Sequence, residues 1–218
     1  MRKNAGFTLV EILIVCAILL IMAGILMPML FKVQQGQNVR AAEADIEFLK
    51  SALEQYRRDF GDYPPSFLAE IGDSIDPGDA PNQGNRSLVA CLATRRANGP
   101  YLASHMLTNK EKLRVTADAA DANLTGWDFD SDNYRELLDP WGRPYIYLHN
   151  RDYGTTETNN YTIGGLGSGD SYDGSAVEAI HDENDDYYSP YTFQIRSCGP
   201  NGINDNGGED DITSWQAE

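Results

Sequence analysis

The sequence is poor in basic residues and in histidine, and it lacks recognisable catalytic motifs. Its 218 residues include 17 Lys and Arg against 33 Asp and Glu, which gives a formal net charge of −16 at pH 7. Phosphate groups would be repelled by this charge, which argues against a general nucleic-acid surface and favours cations as ligands. The histidines, His105, His149 and His181, have no metal-ligand spacing, and no G-x-S-x-G sequence occurs. We therefore do not expect an enzyme.

Cysteine is also scarce, with three residues in the chain. Cys16 lies in an apolar N-terminal stretch, which leaves Cys91 and Cys198 in the remainder. In an oxidising compartment these two can form a disulfide, or they can remain two separate buried thiols. The sequence leaves both alternatives open because it does not show whether the two residues approach each other.

The clearest feature that is present is an uncharged, mostly apolar run from Ile12 to Phe31. A helix of about 20 residues, with a rise of ~1.5 Å per residue, crosses the ~30 Å hydrocarbon layer of a bilayer. Arg2 and Lys3 precede the run with no acid between them. This charge bias predicts a cytoplasmic N-terminus and an exported remainder.

Glu11 is unexpected at the cytoplasmic end of this run, where an ionised carboxylate in lipid costs roughly 2.5–3.5 kcal/mol. An ordinary signal anchor would not carry it, and a cleaved secretory signal would have a shorter apolar region and an A-x-A-like site. A partner for the carboxylate is therefore expected. If the chain is cut after Gly6, the new amino group of Phe7 on a neighbouring subunit, displaced by about one helical turn, can supply that partner.

The segment Gly6-Phe7-Thr8-Leu9-Val10-Glu11 resembles the processing site of type IV pilins and type II secretion pseudopilins. The resemblance implies that a prepilin peptidase cuts between Gly6 and Phe7 and methylates the new N-terminus. It also implies that Glu11 acts in assembly.

The helix that starts at Phe7 is expected to loosen once and then to continue to about Phe60. Pro28 falls where pilin-like proteins often have a helix-loosening proline, and because proline removes a backbone donor, the helix should bend or melt between Ala23 and Pro28. Gly61 can then end the helix in a left-handed cap. Between these points, spacings of three and four predict one buried apolar face, formed by Val39, Ala42, Ile46, Leu49, Leu53, Tyr56 and Phe60.

The middle of the chain gives weaker signals. A short helix is predicted from a cap at Asn85 or Ser87 to Arg96. Its inward residues are expected to be Leu88, Val89 and Leu92.

Strand signals return in the last third of the chain. Asp139-Pro140-Trp141-Gly142 predicts a turn with Trp141 in the core, and residues 145–148 predict a strand after it. Further strands are predicted over residues 161–163 and 191–197. The motif Asp139-Pro140-Trp141-Gly142-x-Pro144-Tyr145 resembles the segment that opens the C-terminal sheet of type II secretion major pseudopilins, which favours that subfamily over ordinary type IV pilins.

The segment from Cys198 to Ile212 combines carboxylates, side-chain amides and glycines. Hard oxygen ligands on a flexible loop suit calcium, which takes 6–8 oxygens at ~2.3–2.6 Å, although the spacing is not that of an EF-hand. Composition alone leaves a disordered acidic tail as an equal alternative.

A resemblance favours calcium over the tail. Ser197-Cys198-Gly199-Pro200-Asn201-Gly202 resembles the calcium loop of major pseudopilins, with Asn201 in place of the usual Asp, and the loop ends in acids and a tryptophan as theirs do. The implied ligands are the side chains of Asn201, Asp205, Asp210 and Asp211 and the carbonyls of Cys198 and Ile203. Asn201 would weaken the site by removing one charge.

These observations predict an α+β protein of pilin-like fold, with a long N-terminal helix, transmembrane in its first half, packed on a small antiparallel β-sheet. The expected segments are a leader (1–6), a transmembrane helix half (7–31), an amphipathic helix half (32–60), a variable αβ loop region (61–136) and a C-terminal β-sheet with the acidic loop (137–218).

The resemblance implies a structural subunit of the type II secretion pseudopilus, polymerising through its N-terminal helix to support export of folded proteins across the outer membrane. Implied partners are further copies of the chain, minor pseudopilins, the prepilin peptidase and an inner-membrane assembly platform. The expected location is the inner membrane, as a single-pass protein with a periplasmic domain that joins the pseudopilus. A type IV pilin for adhesion, motility or DNA uptake and a membrane-anchored exported enzyme or binding module remain as alternatives.

Overall fold

The computed structural model describes residues 9–71, 82–93, 97–102, 136–154, 163, 176–208 and 210–215, without the side chains of 25 and 28–31. Its regular elements are α1 (Leu9–Phe60), α2 (Gln83–Leu92), β1 (Ile146–His149), β2 (Phe193–Ser197) and β3 (Ile212–Thr213). Short 3-10 helices occupy Leu68–Ile71 and Asn150–Asp152. A helix followed by a small antiparallel sheet confirms the predicted α+β class.

The chain divides into two compact units, Met1–Asn38 and Val39–Glu218, and the boundary falls inside α1. The helical assignment runs through residues 23–28 without a break, and the bend expected at Pro28 stays a prediction. In the first unit, large apolar side chains from Leu9 to Met22 are exposed. Within the described residues, no helix is both long enough and apolar enough to span a lipid bilayer.

The amphipathic face predicted for the second half of α1 is confirmed. Ala42, Ile46, Leu49 and Leu53 are all buried in the main core. Phe60 differs, since it is 42% exposed and stacks on Tyr56 with a centroid distance of 4.4 Å. As predicted, the helix ends at Gly61, which has φ of 90° and donates its N–H to the Arg57 carbonyl at 2.7 Å.

The sheet has the order β1-β2-β3, and both pairings are antiparallel. Ile146 pairs with Arg196, and Ser197 pairs with Ile212. Every residue of β1 is buried, and since successive strand residues point to opposite sides, both faces of the strand are covered. Tyr147 joins the core shared with α1 and α2, whereas Ile146 and Leu148 join a second cluster.

The strand predictions need small corrections. β1 begins at Ile146 and ends at His149, one residue later than predicted at each end. β2 begins at Phe193 rather than Tyr191, because the Thr192 N–H donates to the Ser189 carbonyl in a turn, which leaves Tyr191 85% exposed. Of the strand predicted over residues 161–163, only Ile163 lies within the described residues.

The start of α2 was predicted incorrectly. The helix begins at Gln83, after Asn82 with φ of 58°, and Asn85 lies inside it. Asn85 is not a cap because its buried amide bonds elsewhere. Its Nδ2 donates to the carbonyls of Leu137 (3.0 Å) and Tyr145 (2.7 Å), and its Oδ1 accepts from the Leu137 N–H (2.6 Å). The inward residues Leu88, Val89 and Leu92 are buried as predicted.

The two cysteines outside the N-terminal stretch are separate free thiols, both buried. Cys198 packs in the second cluster with Ile146 and Leu148. Burial raises the pKa of the Cys91 thiol to about 11.

A candidate cation site at the C-terminal loop

The predicted N-terminal site residues lie only partly within the described structure. Gly6 and Phe7 are outside it. Glu11 lies in the first turn of α1 with an exposed side chain, and Pro28 lies in the helix with its side chain outside the description. The processing and assembly roles of these residues stay predictions.

The turn at Asp139 supports the C-terminal loop, which we define as residues 198–211. The Asp139 carboxylate accepts the N–H of Trp141 at 3.0 Å, the N–H of Arg143 at 2.9 Å and the Ser197 hydroxyl at 2.6 Å. The Ser197 hydroxyl oxygen in turn accepts the Gly199 N–H at 3.2 Å. Burial raises the pKa of Asp139, although the hydroxyl and the two N–H groups favour its charged form. The turn and the start of the loop are thus joined through one buried carboxylate.

The C-terminal loop closes on itself through short contacts between its two ends. The Gly202 N–H donates to the Cys198 carbonyl at 3.1 Å, which forms a first turn over residues 198–202. Gly199 has φ of 57°, and an added Cβ would overlap the backbone of Asp210. From the other end, Asp210 Oδ2 accepts the Asn201 N–H at 2.8 Å. These contacts bring Asn201 and Asp210, both predicted ligands, to one place.

Two further predicted ligands belong to the same loop. Asp205 Oδ2 accepts from Asn201 Nδ2 at 2.7 Å, and Asp211 Oδ2 accepts the Gly207 N–H at 2.8 Å. Burial raises the pKa of Asp211 to about 6, with a smaller hydrogen-bond effect from Gly207 and an attraction from Arg196 opposing it. The Asp205 and Asp210 carboxylates raise this pKa further, which shows that they repel the Asp211 charge.

The donor set of this loop suits a hard cation. Asp210 Oδ1 is buried and accepts no hydrogen bond from the residues that the structure describes, which is costly for a carboxylate oxygen unless another positive group meets it. Among the same residues, no three His, Cys, Asp or Glu side chains are arranged to hold a metal ion by themselves. An ion here would therefore also need amide or carbonyl oxygens, which is how calcium is commonly bound.

The remaining predicted donors are less well placed to bind an ion, because their oxygens already accept hydrogen bonds or lie on exposed residues. Asn201 Oδ1 already accepts the Ile203 N–H at 2.6 Å, and Ile203 is 50% exposed. The Cys198 carbonyl accepts the Gly202 N–H. The predicted ligands thus share one loop, and their roles toward an ion stay predictions.

The sequence reasoning missed two arginines that hold the loop. Arg143 Nη1 donates to the Gly199 carbonyl at 2.8 Å. Arg196 is fully buried; its Nε donates to Asn204 Oδ1 at 3.0 Å and its two Nη groups donate to the Glu178 carbonyl at 3.1 Å. The sequence could have pointed to Arg196, because it is the single Lys or Arg after Asp152. Arg143 occupies the variable position of the motif over residues 139–145, and nothing in the sequence pointed to its role.

The chain is similar to known proteins over most of its length. The family model described as the prokaryotic N-terminal methylation motif matches residues 1–27. The type II secretion system core protein G of Vibrio cholerae is 28% identical over 174 residues, which cover 77% of this chain and 84% of that protein. The chain is thus similar to proteins of the type II secretion system. The resemblance predicted from its motifs is confirmed.

Further similar proteins carry the same name. The type II secretion system core protein G of Pseudomonas aeruginosa is 26% identical over 147 residues, covering 67% of this chain and 75% of that protein. The core protein G of Escherichia coli is 26% identical over 152 residues, covering 70% of this chain and 77% of that protein. No solved structure matches this chain.

Proposed function

We propose that this protein is a pseudopilin, a structural subunit of the type II secretion pseudopilus, which polymerises through its N-terminal helix to support export of folded proteins across the outer membrane. One observation carries the proposal: the methylation motif over residues 1–27 overlaps the start of α1, where exposed apolar side chains occupy consecutive positions over residues 12–15 and 18–22. A helix that is apolar all round needs lipid or other helices around it. Both are available to a membrane subunit that assembles into a filament.

The proposed location is the inner membrane, where the protein would be a single-pass protein with a cytoplasmic N-terminus and a periplasmic domain that enters the pseudopilus. Its proposed partners are further copies of the chain, minor pseudopilins, the prepilin peptidase and an inner-membrane assembly platform. Catalysis and nucleic-acid binding are not part of the proposed role. The relatives named as type II secretion core proteins favour this role over a type IV pilin and over an exported enzyme or binding module.

Processing is the first test of this role. Co-expression with a prepilin peptidase should remove residues 1–6 and add one methyl group to Phe7, because the segment from Gly6 to Glu11 resembles the processing site of pilin-like proteins. Intact-mass analysis of the membrane-extracted protein measures both changes. A Gly6→Leu variant should keep the leader and serves as the control. The full-length mass for the unaltered chain, with active peptidase present, would contradict the proposal.

We also propose that the C-terminal loop holds a structural calcium ion. The side chains that would hold it are Asn201, Asp205, Asp210 and Asp211, with the carbonyls of Cys198 and Ile203. The support is the buried Asp210 Oδ1, which accepts no hydrogen bond within the described part of the chain, together with the repulsion among the carboxylates around it. When bound, the ion would supply positive charge that offsets this repulsion.

Thermal melting tests the calcium site. A ligand that binds only the folded state stabilises it by RT ln(1 + [L]/Kd), which is about 2.7 kcal/mol at 100 times Kd. Melting in millimolar calcium should therefore occur at a higher temperature than in EDTA, and magnesium should have a smaller effect. An unchanged midpoint, with no heat on calcium titration, would leave the loop without a role in ion binding.

Asn201→Asp provides a sharper version of the same test. The substitution restores a carboxylate but loses the Nδ2 donor to Asp205, which lies 2.7 Å away. In EDTA the variant should melt at a lower temperature than the unaltered protein. Calcium should raise its melting temperature by more than it raises that of the unaltered protein. A calcium effect equal to that of the parent would exclude residue 201 as a ligand.

A further inference from the structure

We propose that Arg143 is a positioning residue for this cation site: its guanidinium holds the first turn of the C-terminal loop, residues 198–202, in the shape that receives the ion. The inference rests on the proposed calcium site. Arg143 lies outside the loop, in the turn that begins at Asp139, so it acts through the loop backbone.

Arg143 contacts the first turn at two points. Its Nη1 donates to the Gly199 carbonyl at 2.8 Å. Its guanidinium also lies against Gly202, where an added Cβ would overlap Cζ, Nη2 and Nε. Gly202 has φ of 74° and donates its N–H to the Cys198 carbonyl, which closes the turn. The guanidinium therefore packs on both ends of the same turn.

Arg143 is itself held in place by the Asp139 turn. Its N–H donates to Asp139 Oδ1 at 2.9 Å, and its carbonyl accepts the Asp139 N–H at 2.7 Å. Asp139 also accepts the Ser197 hydroxyl, directly before the loop. The guanidinium thus projects from a closed turn that is separately bonded to the start of the loop.

Asp210 contacts the same first turn. Its Oδ2 accepts the Asn201 N–H, and its backbone leaves no space for a side chain at Gly199. The position of the first turn therefore decides where Asn201 lies relative to Asp210, whose buried Oδ1 accepts no hydrogen bond from the described residues. Arg143 donates to the Gly199 carbonyl, so it orders the turn and leaves Asp210 Oδ1 open to an ion.

A loop that is ordered before binding loses less conformational freedom when the ligand arrives, so it binds more tightly. Residues that orient metal ligands from outside the coordination shell typically change metal affinity by about 10–100-fold when they are removed. Arg143→Ala should weaken calcium binding by a factor of about 10 to 100. Arg143→Lys should recover part of the loss, because an ammonium can donate to Gly199 but cannot replace the planar contact with Gly202.

The experiment measures the calcium Kd of the full chain in detergent by calorimetric titration, with the melting temperature in EDTA recorded for each variant. Arg151→Ala is the matched control, since Arg151 bonds to Glu70 at 2.6 Å and lies outside both the Asp139 turn and the loop. It should keep the parental Kd even if it melts at a lower temperature. Gly202→Ala should also weaken binding, because the added Cβ displaces the guanidinium and the positive φ of 74° strains an alanine, so it is read together with Arg143→Lys.

The outcomes separate the two proposals. Absence of calcium binding by the unaltered chain would overturn both the cation site and the role of Arg143. Calcium binding by the unaltered chain, with the same Kd in Arg143→Ala, would overturn the positioning role alone. If Arg143→Ala does not fold, Arg143→Lys and Gly202→Ala decide: a parental Kd in either would overturn the role, and a raised Kd in both would support it.

Discussion

At the scale of single residues, the surroundings of Asp211 in the C-terminal loop disfavour its charged form. Burial raises its pKa from an ordinary value of 3.8 to about 6, and the nearby Asp205 and Asp210 carboxylates add to the shift. An acid with a raised pKa in the folded state binds more protons there than in the unfolded state. Its unfavourable effect is therefore complete above about pH 6 and disappears as the pH falls toward about 4.

We therefore expect Asp211→Asn to stabilise the protein in EDTA at pH 7 and to have a smaller effect at pH 4.5. The gain should be about 1–2 kcal/mol, because solvent screening reduces the ~3 kcal/mol that the pKa shift alone would give. The asparagine oxygen can still accept the Gly207 N–H, which limits other changes. Urea unfolding at the two pH values measures the difference. An effect in EDTA that does not depend on pH would contradict the raised pKa.

At the scale of the elements, a buried amide joins α2 to the segment that carries the Asp139 turn. Asn85 bonds to the N–H and the carbonyl of Leu137 and to the carbonyl of Tyr145. Each buried polar group that loses its partner costs about 1–3 kcal/mol. Asn85 therefore helps to fix this segment on the helix, together with Arg86, which pairs with the buried Glu136 carboxylate at 2.6 Å.

Asn85→Ala should lower the free energy of unfolding by about 3 kcal/mol, because it removes the partners of several buried backbone groups at once. Urea unfolding of the full chain in detergent measures the loss. Asn98→Ala is the control: the Asn98 amide bonds to the exposed Asp59 carboxylate at 3.1 Å, and its removal should cost less than about 1 kcal/mol. Equal losses in the two variants would show that the Asn85 bonds contribute little.

At the scale of the whole molecule, the residue proposed for assembly and the β-sheet lie in different units. Glu11 lies in the unit Met1–Asn38, whereas the sheet and the C-terminal loop lie in Val39–Glu218. The Glu11 carboxylate is proposed to meet the Phe7 amine of a neighbouring subunit. Removing one member of a buried ion pair can cost about 3–5 kcal/mol.

Glu11→Ala should therefore abolish filaments and leave the melting temperature of the second unit unchanged. Electron microscopy of assembled material and thermal melting of the same preparation measure the two effects. Glu183→Ala removes an exposed acid from the second unit and should still assemble. Normal filaments from Glu11→Ala would refute the assembly role.

The sequence by itself determined the features that depend on neighbours along the chain. Apolar residues at helical spacing predicted the buried face of α1, and Gly61 predicted its end, since periodicity and left-handed caps are local properties. The turn at Asp139 was predicted for the same reason. The N-terminal motif also predicted the resemblance to type II secretion proteins that the comparisons found.

Only the tertiary structure decided the contacts between distant segments. Asn85 is a residue type that favours helix caps, yet its amide bonds to backbone groups more than 50 residues away along the chain. Arg143 reaches Gly199 across a comparable separation, and Gly202 must lack a side chain because the guanidinium lies against it. Such contacts depend on how the sheet brings β1 beside β2, and no local pattern records that pairing.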